Sequence, residues 1–331
     1  MRPRVSVVIP VYRGQAYVAA TLRSLKAQEL ADFEVLCIDD CSDDESCEII
    51  RSLAAEDARI RYFRTDTNLG NVPRVLSRFL GEARGDYFAY SSQDDSFSVD
   101  WLSSMVNTAE ATGAEAVVPD LVFHDDERGD YRWLRNSYRA LVSGTEAFLL
   151  SLDWSIPANA LFHRSLWERF GFFDFGMYAD EYSWRYYFLQ CRMVAFAAGV
   201  FRYYQGNQNA ITRKLSVGML DRVSNDFRLW QLVEEHASHS PWVTRYAQHT
   251  FRSLRHALAL SEASPALRAE YGRIDAATRA MRGDAVFRQR LRESYPSPLG
   301  RLSEIGLNHP LALRLVAKAN HFRAKVGRAQ A

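Results

Sequence analysis

The sequence predicts an α/β protein: a doubly wound, mixed sheet followed by a C-terminal α-helical region. Three observations carry this. Short apolar runs alternate with amphipathic helical stretches as far as Tyr90, in the order β-α-β-α-β-α-β. The runs are apolar throughout rather than alternating, as in parallel strands covered on both faces. From Val217 onward the strand-like runs stop and helical spacing takes over.

Val5-Ser6-Val7-Val8-Ile9-Pro10 is rich in β-branched residues and reads as the first strand, with Val11-Tyr12-Arg13-Gly14 the loop beyond it. Gln15 to Gln28 sets Val18, Leu22 and Leu25 on one helical face. Phe33 to Ile38 is the second strand and ends in Asp39-Asp40-Cys41-Ser42-Asp43-Asp44. Glu48 to Ala55 is a helix, for which Ser42 or Asp44 supplies the N-cap. Ile60 to Arg64 is a third strand, Asn68-Leu69-Gly70 a turn, and Val72 to Ala83 a helix with Pro73 in its first turn. Tyr87 to Tyr90 is a fourth strand, running into Ser91-Ser92-Gln93-Asp94-Asp95.

Further on, Ala116 to Pro119, Leu121 to His124, Asn159 to His163, Met193 to Ala198 and Val200 to Tyr204 read as short strands, and Leu166 to Phe170 as a short helix. Leu220 to His236, Pro241 to Ala263, Pro265 to Arg282 and Ala285 to Glu293 are helical. Pro310 to Arg328 is basic and amphipathic, suited to packing as a cap or to peripheral contact with an anionic membrane. The expected organisation is one domain over residues 1–215 and a helical region over 216–331.

Composition excludes several classes. A net charge of +1 leaves no electrostatic footprint for nucleic acid. None of Cys37, Cys41, Cys47 and Cys191 forms a CxxC pair, and no His adjoins them, so no zinc site is expected. Reduced thiols suit a cytoplasmic protein. The apolar run from Val5 is broken by Pro10 and reads as a strand rather than a signal peptide. No stretch approaches the ~18 apolar residues of a membrane span. The first strand is not followed by GxGxxG, and no GxxxxGK[ST] occurs, which argues against a dinucleotide fold and a P-loop.

In open α/β sheets, ligands bind beyond the carboxyl ends of the strands. Here those ends carry Pro10-Val11-Tyr12, Asp39-Asp40 and Asp94-Asp95. Adjacent carboxylates at a strand-to-loop bend can turn toward one point. That suits a hard divalent cation whose remaining positions are filled by water and phosphate oxygens. A solvated acidic turn is the other reading.

The segments Val5 to Tyr12, Ile38 to Asp44, Asn68-Leu69-Gly70, and Gly85-Asp86-Tyr87 leading into Gln93-Asp94-Asp95, in this order, resemble the family 2 glycosyltransferases of GT-A fold that build bacterial cell-surface polysaccharides. The resemblance covers residues 4 to about 215. It implies an inverting transferase using a nucleotide-diphosphate sugar (UDP-, GDP- or dTDP-linked), Mn2+ or Mg2+, and a glycan or lipid-linked glycan acceptor.

Carried onto this sequence, Pro10, Val11 and Tyr12 would pack the nucleobase, and Asp40 or Asp39 would accept a base N–H. Helix capping is the other reading for that pair. Arg74 would reach base or phosphate. The family's metal motif is Asp-x-Asp, usually followed by another Asp. Here it reads Ser92-Gln93-Asp94-Asp95, with Ser92 in the first acid's place. Ser92, Gln93 and Asp94 fall on the nucleotide's side, Asp94 and Asp95 on the metal's, and the direct ligand is open between the two. Tyr178-Ala179-Asp180-Glu181-Tyr182-Ser183-Trp184-Arg185 matches the family's catalytic segment, with Ala179 replacing the first of its two acids. Asp180 would be the general base and Glu181 the second candidate; a charge opening a helix is the plainer reading. Ser92 and Ala179 motivate the alternative of an inactive nucleotide-sugar-binding protein of the same fold.

Overall fold

The computed structural model describes residues 2–137, 139–210, 213, 215–295, 306 and 307. The expected basic helix from Pro310 to Arg328 lies outside the described residues, as do Ile211, Thr212 and Lys214. The chain forms two compact units, one of Met1–Phe175 with Ala179–Asn209, the other of Gly176–Tyr178 with Ala210–Ala331.

The first unit is built on a mixed sheet. Its strands are β1 (Val5–Val11), β2 (Phe33–Asp39), β3 (Ile60–Arg64), β4 (Tyr87–Tyr90), β5 (Ser96–Phe97), β6 (Ala116–Asp125), β7 (Gly129–Leu134), β8 (Val142–Ser143), β9 (Leu161–His163) and β10 (Met193–Tyr204). Spatial order is β3-β2-β1-β4-β9-β6-β10-β5, with β7 on β6 and β8 on β10. β1 pairs in parallel with β2 and β4, and β2 with β3, so the predicted parallel half is present. β9 then inserts antiparallel to β4 and β6, which makes the sheet mixed.

The helices of this unit are α1 (Val18–Lys26), α2 (Ser46–Glu56), α3 (Val72–Phe79), α4 (Trp101–Thr112), α5 (Gly144–Ser151), α6 (Arg164–Phe170) and α7 (Ala179–Gln190). One face of β1, from Val5, Val7, Ile9 and Val11, packs in a core with Val18 and Leu22 of α1, Ile50 of α2, and Trp101 and Met105 of α4. Across the sheet, Phe88 of β4 meets Phe162, Trp167 and Trp184. Both faces are covered, which is why the strands read as unbroken apolar runs.

Some elements differ from expectation. The two short strands read from Ala116 and from Leu121 are one strand, β6, and those read from Met193 and from Val200 are also one, β10. Pro119 cannot donate to a ladder, and β10 slips register opposite it, between Ala197 and Val200, so the strand continues through a bulge. The helix read from Val72 to Ala83 ends at Phe79 and finishes as a 3-10 turn, Leu80–Glu82.

The second unit contains α8 (Arg222–Ala237), α9 (Trp242–Ala263), α10 (Pro265–Ala269), α11 (Tyr271–Gly283) and α12 (Ala285–Glu293), so the stretch read as one helix from Pro265 is two. Trp230 packs edge-on to Phe287 and gives its indole N–H to the Val243 carbonyl at 3.1 Å. Among the described residues, no helix is long and apolar enough to cross a membrane.

Candidate functional site

The ends of β1 and β2 are tied together. The Asp40 N–H donates to the Val11 carbonyl at 2.7 Å. Asp39 and Asp40, identical neighbours in sequence, then diverge. The Asp39 carboxylate is fully buried; it accepts from Arg64 Nη1 at 2.5 Å and from the Ser42 N–H at 3.0 Å. The Asp40 carboxylate accepts from Thr65 Oγ1 and from the Leu69 N–H, both at 2.9 Å. Cys41, at φ 59°, turns the chain sharply after them. Neither aspartate caps α2. Asp44 meets the first turn of that helix, accepting from the Ser46 N–H at 3.1 Å, while Ser42 Oγ accepts from the Arg13 N–H.

The β1 loop is clasped by Gln93. The Tyr12 N–H donates to Gln93 Oε1 at 2.9 Å, and Gln93 Nε2 donates to the Tyr12 carbonyl at 3.2 Å. Thr21 Oγ1 holds the Gln93 carbonyl at 2.7 Å. A Cβ on Gly14 would stand 2.5 Å from Gln93 Oε1, so glycine there admits the clasp. Tyr12 is 42% exposed, and the Arg13 guanidinium stands over its ring, 5.2 Å from the centre. Val11 is buried and offers the site only its backbone, and Pro10 is half-buried beside Ile38.

Asp94 is half-buried and accepts from Asn207 Nδ2 at 2.6 Å. Asp95 is buried; its carboxylate takes the Tyr204 N–H at 3.1 Å and the Ser92 N–H at 3.2 Å, which joins the loop after β4 to the end of β10. Burial raises the Asp94 carboxyl above its ordinary range. Burial, and then the neighbouring Asp94 charge, pushes Asp95 well up.

Asp180 and Glu181 open α7. Burial, and then the Glu181 charge, lifts the Asp180 carboxyl to about 7. Glu181 itself is held by buried Arg185, its Oε2 2.7 Å from Nη1. Arg185 also donates to the carbonyls of Glu181 and Ser151, while its Nε has no hydrogen-bond partner. Trp184, one turn beyond Asp180, is buried in an aromatic block with Phe88, Tyr90, Phe162 and Phe172.

Two tyrosines join the carboxylate sets. Tyr90, whose phenol burial pushes far up, lies in the field of both Asp180 and Asp95. Tyr203, pushed up to about 12, is raised chiefly by burial and then by Asp95, Asp94 and Glu181. Tyr90 also stacks on Trp184 of α7 at 5.5 Å, so the strand that precedes the Asp94–Asp95 loop lies against the helix that Asp180 and Glu181 open. Arg74 stands apart: it is exposed, and it pairs with Asp174 at 3.2 Å and donates to the Leu69 carbonyl.

Sequence reasoning missed Asn207, Thr65, Tyr90 and Tyr203. Asn207 lies in a conspicuously polar stretch, Gln205-Gly206-Asn207-Gln208-Asn209, but nothing local ties it to Asp94.

Among the described residues no group of three or more His, Cys, Asp or Glu side chains gathers as a metal cage. The donors that are present are hard carboxylate oxygens. Mg2+ and Mg2+-like ions are commonly held by one or two carboxylates with substrate phosphates and water completing the shell, so Asp94 and Asp95 fit that chemistry.

Comparison with known proteins agrees with the fold. The profile described as Glycosyl transferase family 2 matches residues 6–171. The succinoglycan biosynthesis protein ExoO of Rhizobium meliloti is 31% identical over 170 residues, 51% of this chain and 46% of that protein. The chain matches less than half the length of the first such relatives. Staphylococcus aureus TarS, solved with UDP-GlcNAc, superposes with a TM-score of 0.65 at 15% identity, covering 96% of this chain and 91% of the other. The mannosyltransferase PcManGT of Pyrobaculum calidifontis, solved with GDP-Man and Mn2+, superposes at 0.52 with 16% identity, covering 97% and 88%. These solved structures share the GT-A fold, and the profile match spans half the sequence; the chain belongs to glycosyl transferase family 2.

Proposed function

We propose that this chain transfers a sugar, with inversion, from a nucleotide-diphosphate sugar to a hydroxyl of a growing cell-surface glycan. The observation that carries the reading is that the acidic loop of Asp94 and Asp95 follows β4, whose Tyr90 stacks at 5.5 Å on Trp184 of α7, the helix that Asp180 and Glu181 open. ExoO, named for succinoglycan biosynthesis, and the solved neighbours holding UDP-GlcNAc or GDP-Man support the same class of donor and product.

In this reading the exposed Tyr12 packs the nucleobase, beside Asp40, whose buried carboxylate is held by Thr65 and the Leu69 N–H. Asp39, committed to Arg64, and Asp95, committed to two backbone N–H groups, shape the loops around it. Asp94, backed by Asp95, would hold Mn2+ or Mg2+. Such an ion, when bound, offsets the charge of the departing diphosphate. Inversion is one displacement: the acceptor oxygen bonds to the anomeric carbon as the bond to the diphosphate breaks. The acceptor proton passes to Asp180, whose raised carboxyl suits a base working near neutral pH. Glu181, pinned by Arg185, tunes that carboxyl rather than taking the proton. Residues 1–215 form the transferase domain and 216–331 a helical region. The protein works in the cytoplasm, with the segment from Pro310 to Arg328 available for the inner membrane face.

Thermal-shift titration with UDP-, GDP- and dTDP-sugars, with and without Mn2+, tests this. One nucleotide class is expected to bind at least tenfold more tightly with metal, and Asp94→Asn to lose that gain. Wild-type protein that neither binds nor hydrolyses any of them would refute the reading. Tight binding with no turnover on any acceptor would instead favour the inactive binding protein that Ser92 and Ala179 suggest.

A further inference from the structure

The face of the sheet that carries Tyr203 continues outward across β6 to the edge strand β7. Tyr203 of β10 pairs with Phe123 of β6, which pairs with Arg132 of β7, so the three side chains share one face. The Tyr203 and Phe123 rings lie 5.7 Å apart, and Trp154 stacks on Tyr203 at 6.4 Å and stands 6.5 Å from Phe123. Tyr131, exposed at the rim, lies 6.2 Å from Phe123.

The guanidinium carbon of Arg132 stands over Phe123, 4.8 Å from the ring centre, and the residue is exposed. Among the described residues no carboxylate pairs with it. Its neighbours differ: Arg128 is paired with Asp125, and Asp130 is taken by His124 and Arg202. Arg132 is thus a cation seated over an aromatic ring, and among the described residues its forked N–H donors meet no acceptor. This is the geometry that grips carboxylates and phosphates. Beside it Trp154 stacks on Tyr203, which meets Phe123 edge-on at 72°, and these rings offer apolar surface to a pyranose.

We infer that this shelf, from Tyr203 through Phe123 to Arg132, seats an acceptor saccharide bearing a carboxylate or phosphate, with Arg132 reading the anion. The inference rests on the proposed transferase reading, because it places the acceptor's reacting end at Tyr203, next to Tyr204, whose N–H donates to Asp95 of the β4 loop at 3.1 Å. Arg132 acts on acceptor choice and not on the donor. Arg135, stacked over Trp133 at 5.1 Å, is the matched control: Trp133 pairs with Val122 and so belongs to the opposite face.

The test is binding of three oligosaccharides of equal length to the full chain, measured by calorimetry: an oligogalacturonate, a phosphorylated oligomannose and a neutral malto-oligosaccharide. The wild type is expected to prefer an acidic ligand to the neutral one by at least tenfold. Arg132→Gln should remove that preference, while Arg135→Gln, with the same charge change, keeps it. The acidic ligand that wins identifies carboxylate or phosphate as the anion read. No preference in the wild type, or equal losses in both variants, overturns the inference. Nucleotide-sugar binding, measured in parallel, separates the two readings. If it persists without acidic preference, only the shelf proposal fails; if it is absent from the wild type, the transferase reading fails.

Discussion

Asp180→Asn is expected to lower kcat by roughly 10²–10⁴-fold, the usual contribution of a positioned general base. Nucleotide-sugar affinity should be unchanged, since the role assigned to Asp180 concerns the acceptor's proton. Two further readouts follow from its environment. With the carboxyl at about 7, the wild-type rate should climb as pH rises through that value and level off above it, because only the ionised form takes a proton. Glu181→Gln removes the like charge that raises Asp180, so the acid limb should move to lower pH. Stability supplies the second readout. An acid raised from 3.8 to about 7 binds its proton more tightly when folded than unfolded, so stability falls as pH rises between those values. At pH 8 the asparagine variant should therefore melt higher than wild type. An active Asp180→Asn enzyme would exclude Asp180 as the base; an acid limb unmoved in Glu181→Gln would leave burial as the sole cause of its raised carboxyl.

Trp184→Ala is expected to cost about 3–5 kcal/mol of folding stability, the range for deleting a large buried aromatic. The indole is 5% exposed and stacks on Phe162 at 5.8 Å and Tyr90 at 5.5 Å. It also backs the first turn of α7 against β4, so the loss should include most of the activity at temperatures where the variant still folds. Denaturant titration followed by circular dichroism measures the cost. A change below about 1 kcal/mol would mean that the block repacks and that α7 is positioned by other contacts.

The parallel half of the sheet could be read directly from the sequence because β2 is buried from end to end and β1 at every position but Pro10. β6 and β10 read as broken strands because Pro119 and Gly199 look like terminators, and only their mutual pairing shows that a bulge accommodates them. The carboxylates at strand ends stood out because acids after apolar runs are conspicuous. Their division of labour was not legible. Asp39 and Asp40 are the same residue side by side, and what separates them is the turn at Cys41 and partners on β3 and beyond. Asn207 reaches Asp94 across 113 positions, through the crossover that brings the end of β10 to the loop after β4. No local spacing encodes such a meeting. α4 is a different case: Trp101, Leu102, Met105, Val106 and Ala109 have helical spacing and a Gly113 stop, so its signal is present in the sequence.

Gln93 treats Tyr12 as a neighbouring strand would, giving one hydrogen bond to a single residue and receiving one from it. This makes the two loops mechanically one part, so in the proposed transferase reading occupancy at the base end and at the pyrophosphate end should be thermodynamically coupled. A double-mutant cycle would express that as non-additivity: Tyr12→Ala and Asp94→Asn should interact by more than about 0.5 kcal/mol in nucleotide affinity. Cutting Gln93 back to Ala should let the two losses simply sum. A cycle already additive with Gln93 intact would mean that the loops bind their halves of the donor independently.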